Sequence, residues 1–237
     1  MSPELVEFDD PPATESRLVA RVVGTLDADG TFSGHYEEAG TGLMQYSLRE
    51  VFTEEMTRQQ RANAAQALAS QLFQGARGDS LVGFDGYDLT VEPRVTVQVE
   101  AEGTTTRTPA GDHIFPLPLP AFGNLNLLRY LESREEPRRG PFHIGQVSGD
   151  NEVVRELVLE VPDGWTVALP DPVRAESRFG TYTADFTQEG RTVRVTRRWL
   201  GGRGIAPPEA RTELIEWLRE VLSDDVRYLV LQPPAAG

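Results

Sequence analysis

The chain has 237 residues with no cysteine and no lysine, and its 23 arginines face 37 aspartates and glutamates, for a net charge of -14. Cysteine and lysine nucleophiles are therefore excluded, together with disulfides and thiolate metal sites. The acidic excess also argues against nucleic acid and anionic membranes as partners, because both require a basic face.

The N-terminal residues 1–15 are acidic and contain prolines, which predicts a flexible lead. They have no basic region followed by an apolar one, so they do not resemble a signal peptide. No apolar run approaches the about 20 residues that a membrane helix needs. The compartment stays open: the chain is either cytoplasmic or a piece of a larger protein that is exported or periplasmic.

Residues 16–84 predict a β-hairpin followed by helices. The strands are Arg17 to Thr25 and Thr31 to Ala39, and the acidic segment from Leu26 to Gly30 forms the turn between them. Asp and Gly are typical turn residues, and alternation of apolar and polar residues is typical of half-buried strands.

Two helices are expected after this hairpin. A short one runs from Leu43 to Phe52, and a longer one runs from Glu54 to Phe73 with Thr53 as the N-cap, until Gly75 and Gly78 end it. Alanines on the longer helix predict close packing against a sheet. Its apolar positions are Met56, Ala64, Leu68 and Leu72.

Residues 85–232 predict a β-sandwich-like region. Asp88 to Glu100 is expected to be a strand with its valines on one face. Prolines at alternate positions from Phe115 to Pro120 exclude a central strand and predict an edge strand or an extended cover over the core. Asn124 to Glu132 predicts one or two helical turns.

The last third has the most regular pattern of the chain. Period-2 alternation bounded by Gly and Pro predicts strands at Glu156 to Val161, Gly180 to Phe186 and Thr192 to Leu200. Pro208 to Ser223 predicts a helix with an apolar stripe. Val226 to Gln232 predicts a strand buried between neighbours, followed by a tail at 233–237. The fold class expected is α+β, mainly antiparallel β, with sandwich-like sheets covered by two or three helices.

The order of several short motifs resembles a known bacterial arrangement. VPDGW, ALPDPV, RFGTY, VTRRW and IAPPEA precede a Leu-rich helix, and Asp27–Thr31, Tyr36–Gly40 and Tyr46–Arg49 resemble an upstream hairpin and helix. The stretch from about Arg17 to Gln232 resembles the C-terminal domain of unknown function of bacterial transglutaminase-like proteins, which carry an N-terminal sandwich and a papain-like catalytic core before it.

That resemblance implies a non-catalytic accessory region whose partner is a catalytic domain or another protein. Transglutaminase chemistry needs a thiolate partnered by His, and the chain has no cysteine to supply it. No cofactor is expected. Two alternatives stay open: a free-standing β-sandwich that binds a glycan or peptide, and, less favoured, an acid-base hydrolase with two carboxylates of raised pKa.

Four candidate sites are weighed against structural explanations. Asp27–Gly30 resembles the start of a calcium loop, but Tyr36 stands where the closing glutamate belongs. Gly201–Gly204 could cradle a phosphate, although prolines occupy the helix start. His35, His113 and His143 lack zinc-site spacing. The segment Gly145–Gly149 places Ser148 one residue away from a nucleophile elbow.

Aromatic residues could form a platform for sugar rings. Trp165, Phe179, Tyr182 and Trp199 are the candidates. Trp199 shares strand parity with Val193 and Val195, and Tyr182 shares it with Ala184 and Phe186, so both are expected to point inward. Trp217 on the last helix is likewise interpreted as packing.

The strongest surface hypothesis concerns the one basic concentration in this acidic chain. It comprises Arg191, Arg194, Arg197, Arg198 and Arg203. Arg194 and Arg198 share a face opposite Val193 and Val195. With Arg203 they are the predicted ligand or partner surface, suited to a carboxylate or an acidic protein face. The structural alternative is cross-strand pairing with Glu156 and Glu160.

Overall fold

The computed structural model describes residues 12–52, 56–121, 125–133 and 140–234. The strands are β1 (Arg17–Leu26), β2 (Phe32–Gly40), β3 (Arg77–Val82), β4 (Arg94–Ala101), β5 (Thr106–Arg107), β6 (His113–Pro116), β7 (Phe142–His143), β8 (Glu152–Glu160), β9 (Thr166–Ala168), β10 (Val173–Ser177), β11 (Gly180–Glu189), β12 (Thr192–Gly201), β13 (Ile205–Ala206) and β14 (Tyr228–Gln232). The helices are α1 (Met44–Val51), α2 (Arg58–Leu72), α3 (Leu125–Ser133), α4 (Ile144–Ser148) and α5 (Arg211–Leu222).

One large mixed sheet dominates the fold. It has eight strands in the order β10-β11-β12-β8-β1-β2-β4-β3. Strands β1 and β8 are parallel, whereas the other neighbouring pairs in this sheet are antiparallel. A four-stranded sheet in the order β5-β6-β14-β9 and the pair β13-β7 complete the β structure. The prediction of an α+β, mainly antiparallel fold is confirmed.

The two faces of the large sheet differ in what covers them. Its inner face carries the buried residues of each strand, such as Val22 and Val195, which belong to one hydrophobic cluster with Leu229 of the four-stranded sheet. All five helices contribute side chains to that cluster. The five α-helices thus pack toward the inner face, and a short 3-10 helix at Ala13–Glu15 contacts β8 and β12.

Close packing of α2 on the sheet follows from small residues. Ala65 and Ala69 are fully buried on α2. Gly78 of β3 lies beneath them, and a Cβ there would stand 2.1 Å from the carbonyl oxygen of Ala65. The expected close contact between an alanine-bearing helix and a sheet is confirmed.

The boundaries of several upstream elements differ from the predictions. Helix α2 begins at Arg58, where Thr57 and Gln60 form a reciprocal capping box; the predicted cap Thr53 lies outside the described residues. The segment after α2 forms β3, which the alternation did not indicate because Ser80 has a positive φ and interrupts the pairing. Strand β4 starts at Arg94, not at Asp88.

The proline-rich segment combines a strand and a cover. Strand β6 pairs with β5 only at His113 and Ile114, whereas Phe115 and Pro116 pair with β14 alone, so the exclusion of a central strand for the proline run is confirmed. It ends at Pro116, where a missing N–H costs the sheet little. Residues 117–120 then cross the core without strand structure and bury Leu119. The prediction that the last strand is buried between neighbours is confirmed, since β14 lies between β6 and β9.

The predicted division at residues 84 and 85 stays a prediction, and the large sheet takes strands from both sides of it. Residues 1–11 of the predicted lead and 235–237 of the predicted tail lie outside the described residues. Within the described ranges, the helices are too short or too polar to cross a bilayer.

Candidate functional site

Arg194 and Arg198 lie on the outer face of β12. Both are exposed, whereas Val193 and Val195, on either side of Arg194, are buried on the inner face. The prediction that the two arginines share a face opposite these valines is confirmed. Arg203 does not join them, because it lies in the connection between β12 and β13 and forms an ion pair with Asp150.

The carboxylate partners of these arginines are not the predicted ones. The Nε of Arg198 lies 2.5 Å from Oε1 of Glu152, and the Nε of Arg17 lies 3.4 Å from Oε2 of the same carboxylate. Glu156 is directly opposite Arg21 of β1 and pairs with it at 2.5 Å. Pairing with Glu156 was therefore a wrong prediction, because the parallel neighbour β1 could not be inferred from alternation.

Arg194 is the least engaged of the predicted residues. It is directly opposite Val158 of β8 and Thr187 of β11. Among the residues that the structure describes, no carboxylate comes within 4.0 Å of its guanidinium group, including the predicted partner Glu160. Its charge is thus available to a group from outside.

An apolar strip crosses the middle of the outer face beside Arg194. Strand register places Val19 opposite Val154, and Val23 opposite Val158, on the adjacent strands β1 and β8. Val154 is buried but does not belong to the hydrophobic cluster of the inner face, and the other three are half-buried. Charged residues surround this strip. They are Arg17, Arg21, Glu37, Arg94, Glu152, Glu156, Glu160, Arg174, Asp185, Arg194 and Arg198.

A buried polar cluster lies on the opposite, inner face of the same strand. We call Arg197, Asp224 and Tyr182 the Arg197 cluster. Oδ2 of Asp224 accepts hydrogen bonds from Nε of Arg197 at 2.6 Å and from the Tyr182 hydroxyl at 2.5 Å. The guanidinium group also donates to the carbonyl oxygen of Leu119. All three side chains are almost completely removed from solvent.

Further ionisable groups adjoin this cluster. Arg155 is directly opposite Arg197 and donates to the carbonyl oxygen of Pro120 at 2.7 Å. Burial raises the pKa of the Asp225 carboxyl, and a hydrogen bond from the Ala121 amide opposes that rise. Burial, followed by the hydrogen bond to Asp224, raises the pKa of the Tyr182 phenol. These groups connect β12 and β8 to the cover at residues 117–121.

The space beside the Arg197 cluster is too small for a substrate. The cavity measures about 10 Å³ and is lined by residues including Leu119, Arg155 and Arg197. A volume of that size holds a single water at most. The cluster therefore connects the sheet to its cover structurally, and the raised pKa of Tyr182 within it has burial as its main cause.

A family comparison covers the part of the chain that contains both arginine environments. Residues 112–231, about half of the chain, match the model of DUF3858, a domain of unknown function. The chain belongs to the DUF3858 family. The matched DUF3858 residues run from the start of β6 into β14 and include Arg194, Arg197 and Asp224. No curated protein and no solved structure matches the chain.

Glycines and prolines in the DUF3858 domain serve backbone packing. The amides of Gly201 and Gly202 donate to the carbonyl oxygens of Asn151 and Phe179, so they do not face a phosphate. A Cβ on Gly201 would stand 1.8 Å from the carbonyl oxygen of Gly149. Pro208 begins the 3-10 turn that leads into α5, as expected.

The aromatic candidates are core residues. Phe179 and Tyr182 are fully buried in the DUF3858 domain, and the rings of Trp199 and Trp217 pack 4.7 Å apart. The inward orientation predicted for Tyr182 and Trp199, and the packing role of Trp217, are confirmed. Trp165 is half-buried against His113 at 4.9 Å. These positions provide no flat aromatic platform.

The remaining candidates have local structural roles. Asp29 accepts a hydrogen bond from the Thr31 amide at 2.9 Å, which lowers its pKa, and Gly30 adopts a φ of +90° in the hairpin turn. The Ser148 hydroxyl donates to the Ile144 carbonyl at 3.1 Å and is buried. Within the described ranges, the histidines do not join acidic residues in a group that could hold a metal ion.

Sequence reasoning missed the burial of Arg197, although the signal was available. Arg197 has the same strand parity as Val193, Val195 and Trp199, which were expected to point inward. Applying that parity to every residue of β12 separates Arg197 from its exposed neighbours. Asp224 gave no comparable signal, because it lies in a turn after α5.

Proposed function

We propose that this chain is a non-catalytic accessory region of a bacterial transglutaminase-like protein. In this proposal it docks through its outer sheet face against a papain-like catalytic domain outside these residues and orients that domain. The motif order from Arg17 to Gln232 supports the family context, and the absence of cysteine supports a catalytic thiolate elsewhere.

The single observation that carries the proposal is the outer face of the eight-stranded sheet, where an apolar strip is rimmed by charges while the five α-helices of the described residues pack toward the inner face. Sheets normally cover an apolar face, yet three of the four valines at the centre of this one, Val19, Val23 and Val158, are only half-buried. Arg194 stands beside Val158 with its charge available. An apolar centre with a charged rim is the usual composition of a protein interface.

Arginines and carboxylates are close to balance on this face, although the whole chain carries a net charge of -14. A protein surface can therefore approach it with less long-range repulsion than elsewhere on the molecule. Arginine is also common among the residues that dominate binding energy at interfaces. These properties favour a protein partner over a small ligand.

The test is calorimetric titration of this chain with a transglutaminase-like catalytic domain encoded directly upstream. The variants Arg194→Glu and Val158→Glu place a carboxylate at the centre of the outer face. Each is expected to raise the Kd by roughly tenfold or more, because central interface residues carry most of the binding energy.

Glu220→Arg is the matched control, since it changes charge at an exposed position of α5 on the other side of the sheet. Thermal unfolding of each variant checks that it folds as the parent does. Absence of any heat of binding for the parent chain, or an equal loss for Glu220→Arg, refutes docking through the outer face.

A further inference from the structure

The exposed large hydrophobic side chains are concentrated in one region outside the matched family residues. This region is α1 with its N-cap, the end of β3, and the connection from Gly83 to Pro93; we call it the α1 patch. Its exposed apolar residues are Leu43, Tyr46, Val51, Val82, Tyr87, Leu89 and Val91. Elsewhere in the described ranges only Tyr130, Ile205, Val226 and Tyr228 are comparably exposed.

A buried arginine holds the connection against α1. Arg49 is on the hidden side of α1 and donates to the carbonyl oxygens of Asp88 at 2.9 Å and Val91 at 2.6 Å. Its guanidinium group also lies 5.6 Å from the centre of the Phe84 ring. One side chain thus satisfies backbone groups that would otherwise need water, and it shapes the segment that presents Tyr87 and Leu89.

Two glycines allow the connection to lie directly on the end of α1. A Cβ on Gly83 would stand 2.3 Å from the Phe52 ring, and one on Gly86 would stand 2.7 Å from the Phe52 carbonyl oxygen. The amides of Tyr87 and Thr90 are held by the carboxylates of Asp85 and Asp88, each at 2.9 Å. The exposed apolar side chains therefore project from an ordered backbone, which lowers the entropy lost on binding.

The charges around the α1 patch are acidic. Glu50, Asp85 and Glu92 are exposed and Asp88 is half-buried, whereas Arg49 is buried with its donors engaged by carbonyl oxygens. Arg94 at the border pairs with Glu37 and Glu92. A second copy of this chain would bring the same carboxylates and the same net charge of -14 to the contact. Charge complementarity thus favours a basic partner.

We propose that the α1 patch is a docking site for a basic protein segment that presents apolar side chains flanked by lysine or arginine. Tyr87 and Leu89 insert as apolar anchors, and the surrounding carboxylates pair with the cations of the partner. The anchors Tyr87 and Leu89 lie in the connection between β3 and β4, away from the valine strip of the outer face, so this site can hold even if docking at that strip fails.

The probe is a fluorescent amphipathic peptide of leucine and lysine, with an otherwise identical peptide of leucine and glutamate as its counterpart. Binding to the full chain is measured by fluorescence anisotropy at two salt concentrations. The lysine peptide is expected to bind, more weakly at high salt, and the glutamate peptide is expected not to bind.

Leu89→Ser and Tyr87→Ser test the anchors. Each is expected to raise the Kd of the lysine peptide by about tenfold or more. Val226→Ser is the matched control, because Val226 is 76% exposed and Leu89 is 78% exposed. Arg194→Glu on the outer face is a second control and should leave this Kd unchanged.

Three results with the peptides would overturn the proposal. The lysine peptide fails to bind, it binds all variants equally well, or the glutamate peptide binds as tightly. Analytical sedimentation of the chain alone tests whether a second copy occupies the α1 patch. A dimer that Leu89→Ser dissociates would show that it does, and would overturn the proposal of a basic partner. Far-ultraviolet circular dichroism confirms that each exposed substitution leaves the fold intact.

Discussion

Arg197 and Arg198 are consecutive residues of β12, and their guanidinium groups lie in opposite environments. Arg197 is 2% exposed and donates to Asp224, which also accepts from Tyr182, and to a carbonyl oxygen of the cover, whereas the Arg198 side chain is 51% exposed and pairs with Glu152. Consecutive residues of a strand point to opposite faces, so Arg197 connects the sheet to its cover whereas Arg198 carries a charge at the surface. The contribution of an arginine ion pair to the unfolding free energy is not fixed by residue type, because it depends on solvent exposure.

The largest effect is expected for Asp224→Ala. The substitution leaves Arg197 buried without its carboxylate, which costs about 3–5 kcal/mol of unfolding free energy. Equilibrium unfolding in urea measures this loss. Asp185→Ala is the matched control, because Asp185 pairs with Arg174 on the outer face and both are about half-exposed. A loss for Asp224→Ala as small as that for Asp185→Ala would refute the contrast.

A smaller loss is expected for Tyr182→Phe. The ring stays in the core, but Asp224 loses one of two donors to the same oxygen. Hydrogen bonds to charged groups contribute about 1.5–3 kcal/mol. Tyr46→Phe serves as the control, since Tyr46 is 64% exposed. Equal urea midpoints for Tyr182→Phe and the parent chain would contradict a stabilising role for this hydroxyl.

Arg198→Ala is expected to cost about 1 kcal/mol, less than Asp224→Ala, because the Arg198 side chain is half-exposed although its partner Glu152 is buried. Glu152 keeps Arg17 at 3.4 Å after the change. A double-mutant cycle with Glu152→Ala isolates the pair from the burial of Glu152. A coupling free energy as large as that between Arg197 and Asp224 would contradict the distinction between the two faces.

The smallest effect concerns pH. Burial raises the pKa of Asp225 above its ordinary value of 3.8. The folded state then holds a proton more tightly than the unfolded state, so this carboxyl lowers the unfolding free energy as pH rises from 3.8 through its folded pKa. Asp225→Asn keeps the oxygen that accepts from the Ala121 amide and removes this titration.

As pH rises, the unfolding free energy of Asp225→Asn should therefore increase relative to that of the parent chain. The surrounding residues Arg155, Arg197 and Asp224 are the same in both proteins. Urea unfolding at a series of pH values measures this difference. A difference that is constant with pH, or that falls, would contradict the raised pKa.

Local pattern determined much of the DUF3858 region. Alternation in Thr192–Gly201 was sufficient to place Val193, Val195 and Trp199 inward, and the apolar stripe of α5 correctly predicted its packing face. These features depend on periods of 2.0 and 3.6 residues, which are properties of the backbone and are visible in a single segment. The same parity places Arg197 on the inner face and therefore predicts its burial.

Contacts between distant segments were decided only by the tertiary structure. The parallel pairing of β1 with β8 joins residues more than a hundred positions apart. As a result, Glu156 pairs with Arg21, and Arg198 pairs with Glu152. Asp224 reaches Arg197 because a turn after α5 closes over the sheet. Alternation specifies which face a side chain occupies, but long-range strand pairing and chain closure specify which partner it meets there.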